Sequence, residues 1–305
     1  MRRLPAGVFV LAIAFSLTFT TSASAQRSRT KVEPPPKPRP VKLRTKDGVD
    51  LSAFYFGSNK GKEAIPVLLV HEWEGQMAPY GPLCMALRDA GCAVLALDYR
   101  GHGGSREYTD ASGKTESFNL ETMGRRDILG IVQYDLEEAK KFLERENNDG
   151  KLNLNALAII GVREGCVLAA GWAQRDWQFP NVGSRKQGRD VKALVLVSPE
   201  RLLKGVPIEG AISNRNVAAL PTLIVVGEGS EEQDDADRIY RRLGVVKRRL
   251  SGGSEPDNLT LLSVKEPLGG SSLVTQSPTV VPKIVEFITS EIEIGDQDNP
   301  WIERE

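Results

Sequence analysis

The chain has 305 residues, 40% apolar and 26% charged, with 40 basic and 40 acidic side chains and a formal net charge of +0. That is long enough for one large α/β domain with tails, and the composition is that of an ordinary globular protein. It excludes a fibrous or wholly disordered chain, and it provides no bulk attraction to nucleic acid or to an anionic membrane.

Residues 1–25 read as a secretory signal peptide. Arg2 and Arg3 open it, Leu4 to Thr20 supply the apolar stretch, and Ala23-Ser24-Ala25 is a small-x-small cleavage site before Gln26. The competing reading is an uncleaved membrane anchor, for which the apolar stretch is short. Cleavage removes two arginines and no acid, leaving 38 basic against 40 acidic side chains, or −2. The expected location is therefore secreted or periplasmic, with membrane contact only through an uncleaved leader. Residues 26–40 form a basic, Pro-rich linker that cannot bury a core. Cys84, Cys92 and Cys166 make no disulfide framework and read as buried free thiols, although export leaves room for one oxidised pair.

From Val41 the pattern alternates strand and helix. Val41–Arg44 and Val49–Phe56 read as a hairpin about Asp47-Gly48. Ile65–Val70 is a buried strand ending at His71, Tyr80–Ala90 a helix closed by Gly91, and Cys92–Leu97 the next strand. Asp127 caps a long amphipathic helix striped by Ile128, Ile131, Val132, Leu136, Ala139, Phe142 and Leu143, and Asn147-Asn148-Asp149-Gly150 stops it. Further strands are expected at Leu157–Ile160, Val191–Val197, Leu220–Val226 and Leu259–Val264. Helices are expected at Asp234–Leu243 and Val280–Ile292, before a loose polar tail over 293–305. Such alternation predicts a mainly parallel sheet with right-handed crossovers over 41–292.

The most informative stretch is Ile160-Gly161-Val162-Arg163-Glu164-Gly165-Cys166. It resembles the nucleophile elbow of the α/β-hydrolases, Gly-x-Ser-x-Gly, in which the central residue is thrust out between a strand and the next helix. Asp98-x-Arg100-Gly101-x-Gly103-x-Ser105 is similar to that superfamily's structural motif after the fourth strand. His71-Glu72-Trp73-Glu74-Gly75 is similar to its oxyanion loop, in the Glu-bearing form of the dienelactone-hydrolase-like branch. The resemblance implies an α/β-hydrolase fold with a lead hairpin. The short Ser198–Leu220 connection leaves no room for a large lid domain. It also implies backbone oxyanion donors at Glu72 or Trp73 and at Glu164. Read this way, His71 bridges loops and His102 lies at the surface.

The same alignment shows what is missing. Arg163 stands at the nucleophile position, and a guanidinium stays protonated with no lone pair to attack. The acid position holds Ser230, and the following Glu231 and Glu232 read as a solvated helix start. No histidine follows His102, so the loop Lys265–Ser272 carries no catalytic base. Cys166 should face the helix–sheet contact, without a histidine partner. Two early histidines without metal-ligand spacing and the lack of a Gly-Lys-Ser/Thr loop point to no metal and no cofactor.

Two main functions fit. The first is an exported, non-catalytic binding or scaffold module, whose partner is a small anion or an envelope component and not a nucleic acid. The second is an atypical hydrolase of small esters or lactones, its base drawn from Glu72, Glu231 or another carboxylate. A purely structural envelope protein is a third. Arg163, Glu72, Trp73 and Glu164 are the candidate binding residues. Arg163 is expected either to bridge to Glu72 and seal the old site, or to hold a bound anion with the backbone donors.

Overall fold

A computed structural model describes residues 33–109, 112–183 and 186–304. The leader reading and residues 26–32 of the Pro-rich linker lie outside these residues. Residues 34–304 pack as one unit. Strands β1 (Arg39–Arg44), β2 (Asp50–Phe56), β3 (Pro66–Val70) and β4 (Ala93–Asp98) come first, with helix α1 (Gly81–Asp89) between β3 and β4. A small hairpin, β5 (Glu107–Thr109) and β6 (Thr115–Ser117), leads to α2 (Arg125–Gly130), a π-helical turn (Ile131–Asp135) and α3 (Leu136–Asn148). Then follow β7 (Leu157–Val162), α4 (Gly165–Gln178), β8 (Val191–Val197), and a two-stranded hairpin of β9 (Leu202–Leu203) and β10 (Val206–Pro207). The short helices α5 (Glu209–Ile212) and α6 (Arg215–Ala219) precede β11 (Thr222–Gly227), α7 (Gln233–Leu250), β12 (Leu259–Val264), α8 (Gly270–Gln276) and α9 (Val280–Glu291).

Among the described residues, eight strands form the main sheet in the order β1-β2-β4-β3-β7-β8-β11-β12. The first two pairings, β1/β2 and β2/β4, are antiparallel; every later one is parallel. Alternation along each strand supplies both faces. Leu68 and Val70 of β3 join the core with α3 and α4, while Val67 and Leu69 join the core with α1 and α9. Burial on both faces explains why the central strands read as unbroken apolar runs.

Four features depart from the sequence expectation. Gly124 is the N-cap of α2, and Asp127, one turn in, reaches back to accept the Gly124 N–H at 2.9 Å. The expected single helix contains the π turn, which carries Asp135 into the interior. There its carboxylate accepts bonds from the Arg100 backbone N–H and guanidinium at 2.6–3.1 Å. Arg39 and Pro40, assigned to the linker, already pair in β1. The tail is not loose: its Asn299–Arg304 segment docks, and Arg304 is buried. All three cysteines are free and buried.

Candidate functional site

The elbow forms where the pattern places it. Arg163 follows β7 with φ +47°, and α4 begins two residues later. Arginine adopts that left-handed conformation at a cost of about 1 kcal/mol or more, and it persists only where neighbours hold it. The holding is visible. The Arg163 N–H donates to the Val197 carbonyl at 2.9 Å, and its own carbonyl accepts the Cys166 N–H at 3.0 Å. Both flanking glycines are required by contact. A Cβ on Gly161 would stand 2.6 Å from the Cys166 Cα, and one on Gly165 would stand 2.3 Å from the His71 carbonyl oxygen.

The Arg163 side chain does not meet Glu72. Its Nε and one terminal nitrogen donate to Glu200 Oε1 at 2.9 and 2.7 Å, and the other terminal nitrogen lies 3.2 Å from Glu232 Oε1. The expected Glu72–Arg163 bridge is thus replaced by a Glu200–Arg163–Glu232 triad. Glu72 turns the other way and accepts a hydrogen bond from the Tyr80 hydroxyl. Partial burial opposes the charge on Arg163, but the Glu200 hydrogen bond and the charge of Glu232 outweigh it and raise its pKa above the ordinary arginine value. Glu232 is only 3% exposed, against the expected solvated helix start, and it sits at the N-cap of α7 where the helix dipole favours an anion.

The loop after β12 is shaped to this triad. A Cβ on Gly269 would lie 2.4 Å from Glu232 Oε2, and one on Gly270 would lie 2.8 Å from Arg163 Cδ. Both glycines lie in the Lys265–Ser272 loop, where the resemblance calls for a histidine, and the atoms they face are the ends of the two long ionic side chains. The Gly270 N–H donates to Ser198 Oγ at 3.0 Å. At the acid position, the Ser230 hydroxyl is buried without a hydrogen-bond partner in the protein.

The oxyanion donors are filled from within. The Trp73 N–H donates to Glu164 Oε2 at 3.2 Å. Burial raises the Glu164 carboxyl above its usual range, while its own backbone N–H and that of Trp73 pull it back. Sequence reasoning paired these two positions as donors but missed that the Glu164 side chain itself occupies the hole.

Both histidines are buried. His71 stacks on Tyr99 with centroids 4.4 Å apart, and its Nδ1 lies 2.6 Å from the Glu72 carbonyl oxygen. His102, expected at the surface, is 1% exposed. Its Nε2 accepts the Glu74 N–H at 3.0 Å and its Nδ1 bonds the Arg100 carbonyl, so it ties the two loops together. Burial lowers the pKa of each to about 4. The Cys166 thiol points to the Val197 carbonyl at 3.7 Å, in the helix–sheet contact, and burial raises its pKa well above normal. Among the described residues, no group of three His, Cys, Asp or Glu is arranged to hold a metal ion.

The triad makes a specific energetic expectation. Arg163→Ala strands Glu232 in the interior and is expected to destabilise by about 2–3 kcal/mol, below the usual figure for breaking a buried pair because the guanidinium is one-third exposed. Glu232→Gln should recover most of that loss in the double variant. Glu72→Gln should show no coupling to Arg163 in chemical denaturation, and a coupling above about 1 kcal/mol would contradict the observed pairing.

No family model and no curated protein matches this chain. Solved structures do. An esterase of Pyrococcus furiosus is 17% identical with a TM-score of 0.59, over 84% of this chain and 92% of that one. A thermophilic carboxylesterase from a metagenomic library is 16% identical with a TM-score of 0.57, over 86% and 91%. The acylaminoacyl peptidase of Pyrococcus horikoshii is 15% identical with a TM-score of 0.61, over 87% of this chain and 43% of that one. Identities this low carry the architecture and not the activity, and together with the eight-stranded sheet, the lead hairpin and the elbow they show that the chain has the α/β-hydrolase fold.

Proposed function

We propose that this protein is an exported, catalytically silent member of the α/β-hydrolase superfamily, of the dienelactone-hydrolase-like branch, working as a binding or scaffold module. The observation that carries the reading is the Glu200–Arg163–Glu232 triad, which occupies the volume between the elbow, the acid loop and the stripped histidine loop. A protonated guanidinium neither attacks a carbonyl nor accepts a proton. The Glu164 carboxylate on the Trp73 N–H repels the negative charge that develops in an acyl-transfer transition state. The active esterases of this fold are what the chain resembles in shape; its own site supports a closed, ion-paired plug. Export rests on the character of residues 1–25.

The test is restoration. Arg163→Ser returns a hydroxyl to the elbow, yet no histidine faces it: His102 is buried with both ring nitrogens bonded, His71 is buried on the Glu72 carbonyl, and only the Glu200 and Glu232 carboxylates stand beside the elbow. The variant is expected to turn over p-nitrophenyl acetate no faster than wild type. Turnover 100-fold above wild type would mean that a base survives, and the reading would fail.

A further inference from the structure

The segment Asn299–Arg304 is held in a manner unlike a packed tail. Four asparagine side chains read its main chain. Asn153 Nδ2 donates to the Asn299 carbonyl at 2.7 Å, Asn155 Nδ2 to the Pro300 carbonyl at 2.5 Å, and Asn147 Nδ2 to the Ile302 carbonyl at 2.9 Å. Asn148 takes both sides of Arg304, accepting its N–H at 2.8 Å and donating to its carbonyl. Two of these amides are pre-set by the body of the protein. Asn147 Oδ1 accepts the Leu154 N–H and Asn153 Oδ1 the Asn155 N–H, which leaves each NH2 turned to the segment.

Two side chains of the segment are read as well: the Trp301 indole N–H donates to the Asn147 carbonyl at 3.3 Å, and Arg304 is held more fully. The Arg304 guanidinium enters a pocket where it donates to Asp190 Oδ1 at 2.5 Å, Asn155 Oδ1 at 2.7 Å and the Lys186 carbonyl at 3.1 Å. Asp190 is fully buried and also bridged by Lys140 and Lys186, and Lys140 in turn pairs with Asp176. Without Arg304, this pocket still holds two lysines against two aspartates. Its charge is balanced when empty, so departure of the arginine strands no uncompensated carboxylate. By contrast the apolar anchoring is slight: Ile302 is exposed, and Trp301 is only half-buried under the Lys62 ammonium.

Main-chain carbonyls read by fixed amides, with one side-chain pocket for identity, are how an extended peptide is recognised. We propose that the groove formed by the end of α3 and the turn before β7 is a peptide-binding site selective for an arginine. Residues 299–304 occupy it in cis as a tethered ligand. The tether keeps the local concentration high, so a segment of modest intrinsic affinity stays seated.

The experiment replaces the exposed Asp296–Asp298 turn with a specific protease site in the full chain, folds it, and then cuts it. A fluorescent synthetic peptide of residues 299–305 should bind the cut protein saturably and displace the released segment, while the uncut protein takes up none. The same peptide with Arg304→Ala should bind at least 10-fold more weakly, and one with Arg304→Lys in between. The proposal is overturned if the cut protein loses cooperative unfolding, since the segment is then part of the core. It is equally overturned if the cut protein stays folded but binds no peptide, or binds the alanine peptide equally well.

Discussion

Gly165→Ala is expected to destabilise the protein by about 3 kcal/mol or more, the upper range for overpacking. The added methyl would sit 2.3 Å from the His71 carbonyl oxygen and 2.6 Å from that of Val70, both backbone atoms with no freedom to swing aside. Either β3 and α4 separate, losing the contact that builds the elbow, or the turn itself re-forms with Arg163 out of place. Gly171→Ala on the same helix is the control, because its Cβ meets only Val132 Cγ2 at 3.8 Å. That change should be neutral, or stabilising by up to ~1 kcal/mol from helix propensity. Thermal unfolding of the pair reads the difference. Equal effects would mean that strand and helix do not approach as closely as described, and the elbow frame would fall with them.

The second large effect is with pH. His71 and His102 are buried and neutral with pKa values lowered to about 4, whereas an unfolded histidine titrates near 6.5. Below about 6.5 the unfolded chain gains protons that the folded protein refuses. The stabilisation is therefore complete above the unfolded value and is lost as pH falls from about 6.5 towards 4, by up to about 3 kcal/mol per histidine. Asp98 and Glu164 act in the opposite sense, since burial holds their carboxyls above the usual range. The groups facing the two rings are Asp98, with its Oδ1 3.6 Å from His71 Nε2, and the Tyr99 and Trp73 rings. Urea midpoints at pH 7 and pH 4.5 measure the net slope. His102→Gln should lose less stability between the two pH values than wild type does; an identical loss in both proteins would contradict the burial of that ring.

Much of the fold was legible because the sheet is buried on both faces. Val191–Val197 is a mainly apolar run bounded by polar turns, and its expected limits coincide with the observed ones; those of the edge strand Leu259–Val264 coincide too, although it is only partly buried. The elbow was legible because Gly161 and Gly165 mark a contact that only glycine permits. The site's ion pairing was not. Arg163 finds partners 37 and 69 positions away, on loops whose approach depends on the whole sheet, and nothing local distinguishes Glu200 from other surface acids. A signal did exist in the Lys265–Ser272 loop, which lacks a histidine and sets Gly269 and Gly270 against the two ions. The burial of His102 escaped for the same reason, since it rests on the Glu74 N–H of a loop far away in sequence. The docked tail escaped because Asn147 and Asn148 read locally as a helix stop, and nothing local marks Asn153 and Asn155 as donors to residues 146 and 145 positions away.

The most direct measurement of the central claim is exposure of the purified protein to a fluorophosphonate probe and to a panel of short-chain p-nitrophenyl esters. An active serine esterase of the same fold serves as positive control. With Arg163 locked between Glu200 and Glu232, no base at Gly269-Gly270 and the Glu164 carboxylate on the Trp73 N–H, the expected result is no probe adduct and ester turnover equal to a heat-denatured sample. A stoichiometric adduct, or turnover that saturates with substrate and disappears on heating, would contradict it.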